Sequence, residues 1–360
     1  MTAENAHLTL DALIKQDKSF AIYRLPGETV PRFVMQTTGA SLLFEDIEKL
    51  NGQKGFVIAP FCVDDKKPIL LIQPDCTDLS EVVIDDNILF EAAQDEESQS
   101  TDNQVNKETY QMHFDRFHTQ LMNGEFEKLV LSRSKTIDRN ASFSPGRSFF
   151  HAAKKYIYSY VYLFHTPQTG TWLGSTPEIL LSGTGNDWKT IALAGTIFPD
   201  SNRNSWDDKN YREQELVSSY LSDQLAVFDI SPERNGPYTV KAGELAHLRT
   251  DFKFNLPPDP AIGSLLKALH PTPAVSGLPK DKAYGFIREN EEYDRLYYSG
   301  FLGMLDPDKQ TDIYVNLRCM HIEKSSLTLF AGGGLLASSS IEEEWEETEH
   351  KMKTMLGILK

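Results

Sequence analysis

The sequence predicts an α+β protein built on antiparallel β-sheets. Segments with the short or alternating apolar pattern of strands follow one another in adjacent groups, and helical patterns stand between the groups. A doubly wound parallel sheet would instead need strands and helices to alternate regularly along the chain. With 360 residues, of which 40% are hydrophobic, the chain can bury a large core in one or two domains.

Strands dominate the first hundred residues. A short amphipathic helix is predicted at Leu8–Lys15, and proline and glycine turns separate the apolar runs that follow it. The stretch Gln94–Asn106 is polar, acidic and aperiodic, which predicts a loop or a boundary. The strands predicted before it are Phe20–Tyr23, Arg32–Gln36, Gly55–Ala59, Ile69–Gln73 and Val82–Asp85.

From Lys107 onward, helices separate groups of strands. Helical spacing of large apolar residues predicts a helix at Glu108–Asn123, which the next residue, Gly124, should stop. Further helices are predicted at Pro145–Tyr158, Asp207–Phe228, Ile262–Leu269 and Lys280–Asn290. The predicted strands are Glu127–Ile137, Tyr160–His165, Ile179–Ser182, Thr190–Thr196, Tyr238–Glu244, His247–Phe254, Tyr297–Leu305, Asp312–Ile322 and Ser326–Ala331.

The C-terminal segment joins a strand to an acidic helix. The strand is predicted to end in the turn Gly332-Gly333-Gly334, where bare backbone N–H groups could approach an anion. One of the serines in Ser338–Ser340 should cap the helix that follows.

On that helix, Glu344, Glu347 and Lys351 share one flank because their spacing is i, i+3 and i+7. A solvated acidic helix would explain this flank. So would a pair of hard oxygen ligands for Mg²⁺ beside the glycine turn.

Composition excludes several classes of protein. The net charge is −16, from 52 acidic and 36 basic residues, which argues against a nucleic-acid or anionic-membrane partner. The three cysteines lack the spacing of a zinc site or a disulfide framework. The N-terminus has no signal-peptide pattern and no apolar run reaches membrane-spanning length, so a cytoplasmic location is expected. No phosphate-loop, dinucleotide, zinc-protease or serine-hydrolase motif is present.

Four charged residues stand where chemistry could use them, although each also has an ordinary structural interpretation. Lys128 opens an apolar strand, Glu178 follows a proline in a turn, and Glu213 lies on the long helix. A solvated strand end, an exposed turn and a solvated helix face would also explain them. Arg318 is predicted in mid-strand, where an unpaired arginine is seldom buried. Either an internal carboxylate or a bound ligand should therefore pair with it.

Eight stretches of the chain, in this order, resemble the chorismate-binding enzyme family. The resemblance covers roughly residues 107–360, and a more variable segment, 1–106, precedes it. It implies one domain over residues 1–360, with two antiparallel sheets packed together and helices on the outside. The stretches are EKLVLSRS (127–134), GSTPEILLS (174–182), IALAGT (191–196), REQELVSSYL (212–221), LHPTPAVSGLP (269–279), RLYYSGFLG (295–303), VNLRC (315–319) and FAGGGLLASSSIEEEWEETEHKM (330–352).

Details of these stretches point to one subtype of the family. Members that use water as the nucleophile carry a lysine at the position of Lys128, and aminodeoxychorismate synthases typically place a covalent lysine at the position of Ala194. The resemblance is strongest to isochorismate synthases, which implies Mg²⁺-dependent conversion of chorismate for menaquinone or a catechol siderophore. The alternatives are a salicylate synthase, a glutaminase-partnered anthranilate or aminodeoxychorismate synthase component, and a plain acidic scaffold.

The resemblance also implies a role for each matching residue. Lys128 would be the base that activates water for attack at C2 of the ring, and Glu178 the acid that protonates the departing C4 hydroxyl. These roles require a lowered pKa for Lys128 and a raised pKa for Glu178. The implied Mg²⁺ ligands are Glu213, Glu344 and Glu347. The implied substrate-binding residues are Thr196, His247, Tyr298, Arg318, Gly332, Gly333, Gly334 and Lys351. The substrate is a small molecule, and a monomer or weak homodimer is expected.

Three of the matching stretches depart from the family pattern, at four residues. Arg212 and Gln214 flank Glu213 where the family usually has histidines. Leu296 follows Arg295 where a glycine is usual, so a reshaped turn is expected there. Thr176 replaces a serine, which is a minor change.

Overall fold

The structure is a computed structural model, and it describes residues 3–84, 106–197, 205–242, 245–257 and 260–359. In this part of the chain, 17 strands form two antiparallel sheets. With elements numbered along the chain, the spatial order of the eight-stranded sheet is β13 (Gly277–Leu278), β6 (Lys128–Asp138), β17 (Ser326–Leu335), β16 (Cys319–Ile322), β8 (Gly170–Thr176), β7 (Tyr160–Thr166), β1 (Phe20–Arg24) and β2 (Arg32–Met35). The order of the nine-stranded sheet is β11 (Glu233–Ala242), β12 (Leu245–Asn255), β10 (Asp187–Ile197), β9 (Ile179–Thr184), β15 (Thr311–Val315), β14 (Phe301–Leu305), β4 (Gly55–Ala59), β5 (Ile69–Ile72) and β3 (Leu42–Phe44).

Polar N-caps fix where several of the helices begin. The side chains of Asn106, Ser144, Asp207 and Ser340 each accept a hydrogen bond from a backbone N–H of the first turn. The helices are α1 (Ala3–Lys15), α2 (Lys107–Met122), α3 (Pro145–Lys155), α4 (Asp208–Ala226), α5 (Ile262–Leu269), α6 (Lys280–Asn290) and α7 (Ile341–Leu356).

The two sheets pack face to face through an aromatic-rich layer. Strand β7 shows the pattern: Tyr160 and Tyr162 point into this layer, whereas Val161 and Leu163 point to the opposite face. Tyr160 stacks on Tyr314 of β15 with ring centroids 4.2 Å apart. Helices α1, α3 and α7 cover the outer face of the eight-stranded sheet, and α4 and α5 cover that of the nine-stranded sheet. The predicted α+β class is therefore confirmed, with two packed antiparallel sheets and helices outside.

The N-terminal strands are shared between the sheets. Strand β1 pairs with β7, and β4 pairs with β14. The strand predicted at Val82–Asp85 is wrong for residues 82–84, which follow a short 3₁₀ turn, and Asp85 lies outside the described residues. Of the predicted loop Gln94–Asn106, only Asn106 is described. No described helix is long and apolar enough to cross a membrane.

The predicted strand Asp312–Ile322 is wrong, because the chain changes sheets in the middle of it. Strand β15 belongs to the nine-stranded sheet and β16 to the eight-stranded sheet. Asn316 lies between the two strands and fixes the backbone where the chain crosses from one sheet to the other. Its side-chain amide donates to the carbonyl of Tyr297 at 2.8 Å, and its backbone N–H donates to the carbonyl of Gly300 at 2.8 Å. Arg318 follows with a φ of 47°, a left-handed conformation, so it lies at a bend and not in mid-strand.

Two further predictions near this crossing are corrected. Gly332, Gly333 and Gly334 lie inside β17, paired with residues 130–132 of β6, and they form no turn. The strand predicted at Tyr297–Leu305 begins only at Phe301, because Ser299 has a φ of 63° and turns the chain.

A buried ion pair ties this turn to β6. The Arg295 guanidinium donates to both carboxylate oxygens of Glu291, at 2.5 and 2.7 Å, and to the carbonyls of Val275 and Val130. Glu291 also accepts from the backbone N–H of Ser132 at 2.6 Å. Both charged side chains are about 2–3% exposed, so neither charge can be solvated by water. The network therefore fixes the segment that precedes Tyr298 against the strand that begins at Lys128.

Replacing Arg295 with methionine should destabilise the protein by about 3–5 kcal/mol, since it leaves the Glu291 charge buried without its partner. Urea unfolding followed by circular dichroism measures the change. The matched control is Arg116→Met, which breaks an exposed pair with Glu292 and should cost less than about 1 kcal/mol. Equal losses for the two variants would contradict a stabilising role for the buried network.

Candidate active site

A cavity open to solvent, with about 620 Å³ of empty space including the solvent at its mouth, lies where the two sheets and helices α4 and α7 come together. Its wall combines charged groups with the apolar side chains of Leu193, Val275 and Phe330. Ten of the predicted site residues line it, namely Glu178, Thr196, Glu213, His247, Tyr298, Arg318, Gly332, Gly334, Glu347 and Lys351. Lys128, Gly333 and Glu344 do not line the cavity but lie directly behind residues that do.

Glu178 is a buried acid on this wall. It is 3% exposed, and the Thr272 hydroxyl donates to its carboxyl at 3.4 Å. Burial raises the pKa of the Glu178 carboxyl to about 7, although the positive charges of Lys128, Lys351 and Arg318 act in the opposite direction. The group can therefore carry a proton near neutral pH. The expectation of a raised pKa is confirmed.

Arg318 faces the cavity with a neutral partner. The Nδ1–H of His247 donates to the carbonyl of Gly195 at 2.8 Å, which leaves Nε2 to accept from the Arg318 guanidinium at 2.9 Å. Burial and the charges of Arg318 and Lys351 lower the pKa of His247 to about 3, so the ring stays neutral. Within the described residues, no carboxylate lies at ion-pair distance from Arg318. The sequence analysis expected either an internal carboxylate or a bound ligand to pair with Arg318. The described residues do not supply the internal carboxylate.

Lys128 begins β6 and is completely buried. Its Nζ lies 2.9 Å from Glu213 Oε1, an ion pair whose angle falls short of a hydrogen bond. Glu213 comes from α4 on the other sheet, and its Oε2 also accepts from the backbone N–H of Gly195 at 3.3 Å. The solvated strand end that would also have explained Lys128 is excluded, because the side chain is buried and not exposed to bulk solvent.

Helix α7 supplies two carboxylates with different surroundings. Glu347 Oε1 accepts from Lys351 at 2.5 Å and from the Thr196 hydroxyl at 3.1 Å. Burial alone would raise the pKa of Glu347, but the Lys351 ammonium outweighs it and the pKa falls to about 2. Lys351 also donates to the carbonyl of Gly332 at 2.7 Å, which joins the helix to β17. The predicted flank of Glu344, Glu347 and Lys351 therefore faces the site and not the solvent.

Glu344 is the more deeply buried of the two, at 2% exposure. Its Oε1 accepts from Lys209 of α4 and from the Ser339 hydroxyl, both at 2.7 Å. Its Oε2 has no hydrogen-bond partner. Burial raises the pKa of Glu344 to about 7, against the attraction of Lys209.

The glycines of β17 leave room for these groups. A Cβ at Gly334 would overlap Glu213 Oε1 and lie 2.8 Å from Lys128 Cε. A Cβ at Gly333 would lie 2.7 Å from Glu344 Oε2 and 3.7 Å from Glu347 Oε1. Any side chain at either position would therefore displace one of the three carboxylates.

The three glutamates fit a divalent cation by their chemistry and their location. Carboxylate oxygens are the ligands that Mg²⁺ prefers, and the unpartnered Oε2 of buried Glu344 has capacity for a cation. Within the described part of the chain, however, no three acidic, histidine or cysteine side chains already surround a common point. Each carboxylate is turned instead towards a lysine, namely Lys128, Lys209 or Lys351.

Comparison with known proteins shows the family of this chain. The sequence profile of the family described as "Chorismate binding enzyme" matches residues 50–360. The chain belongs to the chorismate-binding enzyme family. Isochorismate synthase MenF of Haemophilus influenzae is 31% identical over 252 residues, which are 66% of this chain and 57% of that protein. Isochorismate synthase EntC of Escherichia coli K12 is 32% identical over 248 residues, 65% of this chain and 62% of that protein. The chain thus spans about six-tenths of the length of these relatives.

Solved structures share the fold. The crystal structure of DhbC from Bacillus anthracis matches with a TM-score of 0.79 at 24% identity, over 97% of this chain and 99% of that one. MenF of Escherichia coli matches with a TM-score of 0.77 at 20% identity, over 98% and 91%.

The three departures from the family pattern have structural explanations. Gln214 is buried and donates to the carbonyl of Ala192 and the hydroxyl of Thr250, so it holds α4 on the sheet and leaves the adjacent Glu213 free to face the site. Leu296 adopts a φ of 51°, so the turn expected to be reshaped keeps a left-handed backbone without glycine. The Thr176 hydroxyl accepts from the backbone N–H of Glu178 at 3.3 Å, as a serine could.

Sequence reasoning missed three residues of this candidate site. Thr272 donates to Glu178, Ser339 donates to Glu344, and Lys209 pairs with Glu344. The HPTP stretch pointed to the region of Thr272. Lys209 lies four residues before Glu213, on the same face of one helix, which was the available signal.

Replacing Gly334 with alanine should leave the fold intact but abolish the stabilisation that chorismate and Mg²⁺ together confer, because the new methyl group displaces Glu213 and Lys128. A thermal-shift titration of the variant measures this. Gly285→Ala is the control, since a Cβ there meets no atom within 4 Å. A ligand response of Gly334→Ala equal to that of the control would show that the crowding does not matter.

Proposed function

We propose that this protein is an isochorismate synthase, which converts chorismate to isochorismate by adding water at C2 of the ring with loss of the C4 hydroxyl. The observation that carries the proposal is Glu178, a buried acid that holds its proton near neutral pH on the wall of a cavity that also presents Arg318 and Lys351. The names of the related proteins favour the same activity.

The substrate is a dianion, and the cavity offers two cationic side chains to it. Arg318 can form paired hydrogen bonds with a carboxylate because its side-chain partners in the described residues, the ring of His247 and the hydroxyl of Thr354, are both neutral. Tyr298, stacked on Phe330 at 5.4 Å between ring centroids, places its hydroxyl beside Gly332. We assign the enolpyruvyl carboxylate to Arg318 and Tyr298.

The reaction needs one proton donor and one proton acceptor. The water oxygen forms a bond to C2 and passes its proton to Lys128, while the C4–oxygen bond breaks and the leaving hydroxyl takes the proton of Glu178 as water. The ring double bonds shift towards C4, so electrons and atoms balance. The positive charge of Lys128 acts to lower the pKa of Glu178, so the two groups lie within electrostatic range of each other.

We infer that the cation of this site is Mg²⁺, held by Glu213, Glu344 and Glu347. When bound, the ion supplies positive charge for the ring carboxylate of the substrate. Related proteins include a menaquinone-specific and a vibriobactin-specific isochorismate synthase. We propose that the product of this protein is used to make either menaquinone or a siderophore. The cytoplasmic location, the single domain and the monomeric or weakly dimeric state stay predictions.

Incubation with chorismate and Mg²⁺ should yield isochorismate, detected by chromatography, and EDTA should stop the reaction.

Lys128→Met should form no product yet still bind chorismate with Mg²⁺, because it removes the proton acceptor and keeps the bulk of the side chain. The binding is measured by thermal shift. Salicylate as the main product, without an added lyase, would overturn the choice of activity, and wild-type turnover by Lys128→Met would reject its role as base.

With Lys128 neutral, as its role as the base requires, activity should fall as the pH rises through about 7. Glu178 donates a proton only when protonated, and its raised pKa means that the protonated fraction decreases about tenfold per pH unit above that value. The pH profile of kcat/KM measures this. Glu178→Gln should be inactive at every pH, and wild-type turnover by this variant would argue against Glu178 as the acid.

A further inference from the structure

The three carboxylates assigned to the cation are each matched by a lysine. Glu213 pairs with Lys128, Glu344 with Lys209 and Glu347 with Lys351, so each carboxyl group has a lysine side chain beside it. Lys128 is the proposed base, and Lys351 also binds the carbonyl of Gly332. The mechanism proposed above gives no task to Lys209.

Lys209 occupies a position that its own helix disfavours. It lies in the first turn of α4, where the backbone N–H groups carry partial positive charge and a cation is unfavourable. Its side chain is only 22% exposed. Its Nζ lies 2.7 Å from Glu344 Oε1, and this pairing with the carboxylate offsets the cost of its position.

The pairing involves only one of the Glu344 oxygens. Lys209 and Ser339 both bind Oε1, whereas the buried Oε2 has no partner and approaches Gly333 near Glu347 Oε1. A divalent cation that binds Oε2 would share this carboxylate with an ammonium, and like charges at such short range repel by several kcal/mol even at an effective dielectric constant of about 20.

We propose that the ε-ammonium of Lys209 competes with the divalent cation for Glu344 and thereby keeps the cation affinity of the protein low when no substrate is bound. The inference rests on the proposed function only in using the three glutamates as the cation site. It assigns Lys209 a positioning and charge-balancing role, without contact to the reacting atoms.

The test is direct binding of Mn²⁺, a spectroscopic substitute for Mg²⁺ at carboxylate sites, followed by the electron paramagnetic resonance signal of the free ion. Without substrate, Lys209→Met should bind Mn²⁺ roughly tenfold more tightly than the wild type, or better, because the competing charge is gone. Lys209→Gln should behave in the same way, and it can still hydrogen-bond to Glu344 should the methionine variant fail to fold. Lys209→Arg keeps the charge and should bind as the wild type does.

Lys282→Met is the matched control. It removes the same charge from an exposed pair with Glu125, neither residue of which lines the cavity, and should leave Mn²⁺ affinity unchanged. Unchanged or weaker binding by Lys209→Met and Lys209→Gln would overturn the competition, as would equal tightening in Lys209→Arg or Lys282→Met. If neither the wild type nor the Lys209 variants bind Mn²⁺, the glutamates are not a cation site and the cation of the proposed function fails as well. If the wild type and the Lys209 variants bind Mn²⁺ with equal affinity, the competition proposal is wrong, but the cation site of the proposed function stands.

Discussion

Burial of like charges is the constraint on which this site depends. A carboxylate removed from water costs several kcal/mol unless a cation or good hydrogen bonds replace the solvent. Glu213, Glu344 and Glu347 come from two helices that lie on different sheets, and without counter-ions their mutual repulsion would push those helices apart. The three lysines remove this repulsion. They also link the elements, because Lys128 of β6 meets α4 and Lys209 of α4 meets α7.

The order of the strands decides which residues meet. Strand β17 lies beside β6, so the glycines near the end of one strand face the first residues of the other, and Gly334 lies against Lys128. The crossing at Asn316 carries the chain from the nine-stranded to the eight-stranded sheet at the same level. A regular strand would have sent Arg318 to one face or the other. The left-handed bend lets it face the cavity between the sheets instead.

Local sequence patterns predicted the individual elements of this site better than they predicted the contacts between those elements. The helical flank of Glu344, Glu347 and Lys351 follows from spacing alone, and the rigid turn before Glu178 follows from its proline. The partner of Lys128 could not be predicted, because the ion pair joins residues 85 positions apart on different elements. The glycines of β17 were misassigned for a related reason. Three consecutive glycines normally indicate a turn, and only the side chains packed against them explain a strand. Lys209 was overlooked because a lysine in an acidic helix has an ordinary solvated interpretation.

The overall charge of −16 opposes the binding of an anion by this protein. The proposed site limits this repulsion mainly by keeping the groups near Arg318 uncharged, and less by adding cationic side chains. Arg318 could have paired with a carboxylate, which would have cancelled its charge. It is held instead by the neutral ring of His247, whose tautomer the carbonyl of Gly195 fixes. Glu178 lies on the same wall, and its raised pKa means that below about pH 7 it carries little negative charge. The field in the cavity therefore depends on which groups are kept uncharged, a property that neither composition nor net charge can reveal.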